Sequence, residues 1–95
     1  MLEATYGEHA NAALNKIEHD RSRRPLWNAI CDAGDLICER PDSAEARLEA
    51  VRLPSGLTIW QLPIRCRVED DDWVLLWHRD GDDAVIHYIG NAAFR

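Results

Sequence analysis

Long apolar runs, an excess of basic charge and paired-cysteine motifs are all missing from this chain, and each absence removes a class of protein. The longest uninterrupted apolar stretch is Trp73 to Trp77, far short of the roughly 20 residues a membrane-spanning helix needs. Residues 1–10 show no basic region followed by an apolar stretch. They do not read as a secretory signal, and the expectation is a cytoplasmic protein. The three cysteines, Cys31, Cys38 and Cys66, are odd in number and have no CxxC spacing. That argues against a disulfide framework and against a zinc ribbon. Cys31 and Cys38 stand two helical turns apart and read as small buried hydrophobes on one helix face.

Acidic residues outnumber basic ones, 17 to 11, and the formal net charge is −6. Diffuse nucleic-acid binding needs a basic surface, so it is disfavoured. The acid is localised at Glu69, Asp70, Asp71 and Asp72, and again at Asp80, Asp82 and Asp83. Both clusters fall in predicted turns, where they serve as solvated turn residues or as an acidic surface for a basic partner. Internal repeats, nucleophile motifs, phosphate loops and dinucleotide fingerprints are absent. No cofactor is expected.

What is present suits a single α+β domain over residues 1–95. Apolar residues make up 46% and charged residues 29%, an ordinary globular balance that supports one modest core. "LEATY", residues 2–6, reads as a short first strand. Ala10, Ala13, Leu14 and Ile17 recur at helical spacing within residues 7–20. Pro25 suits the first turn of a second helix. That helix carries Leu26, Ala29, Ile30, Ala33, Leu36 and Ile37 on one side, with Asp32, Asp35 and Glu39 on the other. Pro41 ends it. Residues 41–51 are ambiguous, with Asp42 or Ser43 placed to cap a short helix. From Leu57 onward the pattern is strand-like. The expected architecture is a two-helix hairpin packed on a three- to four-stranded antiparallel sheet.

The alternation also assigns sheet faces. A four-residue loop over 69–72 would set Val68 opposite Trp73, Arg67 opposite Val74 and Arg65 opposite Leu76. A turn at Gly81 and Asp82 would set His78 opposite Val85 and Leu76 opposite His87. One face then holds Trp60, Leu62, Ile64, Cys66, Trp73, Leu75, Trp77, Ile86 and Tyr88, and should meet the helices. The other holds Gln61, Arg65, Arg67, Val74, Leu76, His78, Val85, His87 and Ile89. Trp60, Trp73 and Trp77 read as core residues. Trp27 lies off the main helix stripe and either caps an edge of the core or is exposed for a partner. In this register His78 and His87 sit diagonally, and no cysteine or carboxylate completes a ligand set, so a metal site is not expected.

The order of a strand, two helices and a strand meander, together with "LPSGLTIWQLPIRCRVEDDDWVLLWHRDGDDAVIHYIG", resembles the RelE/ParE superfamily of bacterial toxin components. "WVLLW" stands where that family has an aromatic-Arg-Val-Leu-aromatic strand, and "HYIG" ends the last strand. The resemblance implies the toxin of a type II toxin–antitoxin pair, bound by a cognate antitoxin. Its target would be mRNA in the ribosome, cleaved by an endoribonuclease, or DNA gyrase. It also implies that Arg65 and Arg67 match the family's alternating basic pair. Beside them, His78 and His87 are candidate acid–base groups, because histidine titrates near neutrality. The plain alternatives are strand histidines on a partly exposed face, and arginines paired with Glu69 or nearby aspartates. Val74 replaces the family's arginine, and of its basic tail only Arg95 remains. A second reading is therefore a non-catalytic acidic binding or inhibitor protein, or a degenerate toxin relative. Nothing in the sequence sets the oligomeric state.

Overall fold

The computed structural model describes residues 1–47, 49–66 and 72–91. Arg67, Val68, Glu69 to Asp71 and Arg95 lie outside the described residues. The expectations for Arg67, for Val68 opposite Trp73 and for the basic tail lie there too.

The chain runs β1 (Glu3–Tyr6), α1 (Glu8–Glu18), a 3₁₀ turn (Arg21–Arg23), α2 (Arg24–Glu39), β2 (Glu49–Arg52), β3 (Thr58–Ile64), β4 (Trp73–Asp80) and β5 (Asp83–Asn91). The strands form one sheet in the order β1-β5-β4-β3-β2. The α+β class expected from the sequence is present, but the sheet is larger and mixed. Among the described residues it has five strands, and β1 runs parallel to β5. The sequence reading missed β2. Residues 41–47 form a turn rather than a helix, tied by Ala46 N–H donating to Ser43 Oγ at 3.2 Å and by Arg47 Nε donating to Pro41 O at 2.7 Å. No helix among the described residues is long and apolar enough to cross a membrane.

The helices bury the stripes their spacing dictates. Ala10, Leu14 and Ile17 of α1 are buried. So are Leu26, Ile30, Ala33, Gly34 and Ile37 of α2. They join Leu62, Ile64, Leu75, Trp77, Ala84, Ile86 and Ile89 from one sheet face in a single core. Trp77 is wholly buried, and its indole N–H donates to Ala46 O at 2.8 Å, which roofs the core with the 41–47 turn. Trp60 and Trp73 are half-buried at the core's margins, where Arg47 and Arg23 each stand 5.1 Å from an indole centroid. Such contacts shield an aromatic edge with an aliphatic stem and a cation. Trp27 is likewise half-buried against the core.

Two features of register correct the sequence reading. First, Trp60 pairs with Trp77, Gln61 with Leu76 and Ile64 with Trp73. Arg65 therefore lies beyond the end of β3 and not opposite Leu76. This register sets the apolar residues of β3 against those of β4, and residues 65–72 intervene between the paired ends. Cross-strand apolar pairing of this kind is what sets a register.

Second, the β4–β5 ladder shifts between Leu76 and Trp77: Trp77 pairs with Ile86, while Leu76 pairs with Tyr88. His87 is the additional residue of this bulge. Beyond it the alternation flips, so Ile89 joins the core and Tyr88 does not. That inverts the expectation for both residues. On the side away from the helices, His78 pairs with Val85 as expected, and Gly81, with φ +60°, opens the tight turn to β5.

Candidate functional site

The anticipated constellation does not assemble. Arg65 lies beyond the end of β3 at a cleft beside α2, whereas the two histidines meet on β4 and β5.

Arg65 is exposed and lines a cleft of about 580 Å³ between α2 and β3. The floor is apolar: Ala29, Ala33 and Leu36 from the helix, Leu62 and Ile64 from the strand. Charged and polar groups stand at the rim, namely Asn28 and Asp32 from α2, Glu45 from the following turn, and Arg65. An apolar concavity of this size with a few polar groups is the usual form of a binding site. It exists because α2 presents alanines toward β3. Larger residues at 29 and 33 would fill the space. Asn28, Asp32 and Glu45 were not anticipated as site residues. Their sequence signal is the spacing Asn28, Ala29, Asp32, Ala33, Leu36, a helical stripe of small and polar residues beside the main apolar one.

His78 and His87 meet across β4 and β5. His78 Nδ1 lies 2.5 Å from His87 Nε2. The ring centroids are 4.7 Å apart and the planes differ by 22°. The centroid separation exceeds the nitrogen separation by about two ring radii, so the rings meet edge to edge with the nitrogens facing each other. Both histidines lie on the outer side, next to the point where the β4–β5 ladder shifts between Leu76 and Trp77. Both rings are half-buried. Burial, and then the neighbouring His78 charge, hold the protonation of His87 below the ordinary histidine range. A face-to-face nitrogen pair at this distance leaves no room for a metal ion between the rings. Among the described residues no group of three His, Cys, Asp or Glu side chains is placed to hold a metal.

The surrounding outer face combines Leu76, Val85 and Tyr88, half-buried, with Ile59, Gln61 and Val74, buried. Tyr88 donates its hydroxyl proton to Asn91 O at 2.8 Å, and its ring lies 5.1 Å from that of His9.

The cysteines differ from expectation in one respect: Cys31 is exposed, while Cys38 and Cys66 are partly buried. Desolvation, followed by the negative charge of Asp35, pushes the thiols of Cys31 and Cys38 up. Neither is poised as a thiolate nucleophile.

A scan against protein-family models, a search of curated proteins and a search of solved structures each returned no match to this chain.

Proposed function

We propose that this protein works by holding a partner at the α2–β3 cleft, as a contact-acting toxin component of a type II toxin–antitoxin pair or a degenerate relative of one. One observation carries the choice of binding over catalysis. Arg65 lines the apolar cleft beside Asp32 and Glu45, remote in the fold from the histidines that would have to share a reaction with it. Charge stabilisation and proton transfer need their groups around one reacting atom. A groove with an apolar floor and a charged rim needs only a complementary segment. The resemblance of the sequence to the RelE/ParE superfamily and the net charge of −6 are both compatible with protein contact, including gyrase inhibition or capture by an antitoxin.

A second reading, ribosome-dependent mRNA cleavage, draws on the His78–His87 contact, because paired imidazoles move protons readily near neutral pH. Tightly induced expression in bacteria separates the two. On the binding reading, wild type arrests growth, Arg65→Glu relieves the arrest, His78→Gln/His87→Gln does not, and transcript ends stay unchanged. Relief by the histidine variant together with new transcript ends would establish cleavage instead. Normal growth with abundant soluble wild-type protein would overturn toxicity and leave a non-toxic binding protein.

A further inference from the structure

We propose that His78 and His87 form a single-proton unit: the pair accepts one ionising proton with its contact intact, and a second proton breaks the contact and loosens the β4–β5 ladder at the bulge. The argument is geometric. Nitrogens 2.5 Å apart and facing each other along one line accommodate one hydrogen between them and no more. Two neutral imidazoles supply that hydrogen, one ring donating and the other accepting. When one ring ionises, the added proton goes to a nitrogen that faces away from the partner, and the bridge survives. When both ionise, each inner nitrogen carries a hydrogen, and two N–H groups of like charge oppose each other.

The strand geometry gives this event a mechanical outlet. His87 is the extra residue of the bulge, so its own position in the ladder is the irregular one. Parting the rings acts on the segment where Leu76, Trp77, Ile86 and Tyr88 change register. Sliding one residue would restore a regular ladder there, at the cost of turning Tyr88 toward the core and Ile89 away from it.

The neighbouring elements set the electrostatic frame. On the outer face, β1, β5 and β4 contribute the paired row Glu3, Asp83 and Asp80, next to the row that contains Val85 and His78. α1 brings Glu8 and His9, the latter against the Tyr88 ring. Arg79 donates to Gly81 O at the hairpin turn. β3 brings uncharged Gln61 opposite Leu76. The charge that opposes protonation of His87 is that of His78, so the second proton is resisted from within the pair.

The test is an NMR titration of the imidazole Cε1–H signals over roughly pH 4.5 to 8, with amide exchange followed in parallel. The expected result is two separated steps for His78 and His87, with exchange at residues 76–78 and 85–88 rising only through the lower step. In His78→Gln, His87 titrates in one step at a higher pH than in wild type, and the exchange step disappears. Independent titration of the two rings, with midpoints unchanged in the single variants, overturns the proposal. Flat amide exchange through both wild-type steps also overturns it, and that arm requires no variant to fold.

Discussion

The two faces of the sheet obey different rules. The inner face is a size-matched apolar surface: Leu62, Leu75, Trp77 and Ile86 are held against two helices with almost no solvent access. The outer face mixes Leu76 and Val85 with Gln61, His78, His87 and Tyr88, and the start of α1 touches it where His9 meets the Tyr88 ring. Adjacent residues on one strand thus carry different burdens. Leu75 specifies the fold, whereas Leu76 and His78 tune a surface. The contrast teaches that strand alternation distributes roles as well as burial.

The largest expected effect lies at Trp77. Trp77→Ala removes the central core side chain and its bond to Ala46 O, and should cost about 3–5 kcal/mol by urea denaturation. A smaller loss would mean that the 41–47 turn can collapse into the space. Next comes the neighbouring pair: Leu75→Ala should cost about 2–5 kcal/mol, and Leu76→Ala about 1 kcal/mol. Equal costs would dissolve the distinction between the faces.

Acidification should reveal the outer face's own contribution. His87 binds its proton less readily folded than at its ordinary value of 6.5. The unfolded chain therefore takes up more protons in the window below that value, and stability falls as pH drops through it. Thermal melts of wild type and His87→Gln over that window should diverge, with the variant losing this component of the pH dependence. The smallest effect on stability is expected at Arg65. Arg65→Glu should leave the unfolding midpoint within about 0.5 kcal/mol of wild type, even though it reverses charge at the cleft. A large loss there would make Arg65 a structural residue.

Much of the inner face was legible beforehand. Helical spacing identified the stripes of α1 and α2, and period-two alternation assigned Trp60 to Ile64 and Trp73 to Trp77 to the correct sides. The sliding of β3 against β4 by whole pairs was not legible, because a shift of an even number of residues preserves every facing. It moved Arg65 off the sheet without disturbing a single apolar assignment. The bulge at His87 was equally hidden, since "VIHYIG" alternates acceptably in either phase. It exchanged Tyr88 for Ile89 in the core. The short β2 (Glu49–Arg52), with two charged residues in four, carries too little apolar signal to stand out from a helix cap. The site was less readable than the fold for the same reason. Faces follow from parity, whereas proximity follows from absolute register.

The parallel pairing of β1 with β5 has a consequence for synthesis. Glu3 lies beside Asp83 and Tyr6 beside Ile86, so the first strand finds its neighbour only after both helices and three other strands have been made. On a translating ribosome, which adds about 5–20 residues per second, β1 and the apolar stripe of α1 wait several seconds for the hairpin that completes them. Local helix formation is fast by comparison. The nascent chain therefore presents Leu14, Ile17, Leu26 and Ile30 before their sheet exists. During that interval the emerging protein is most open to a chaperone, or to any other chain that offers a strand in place of β5.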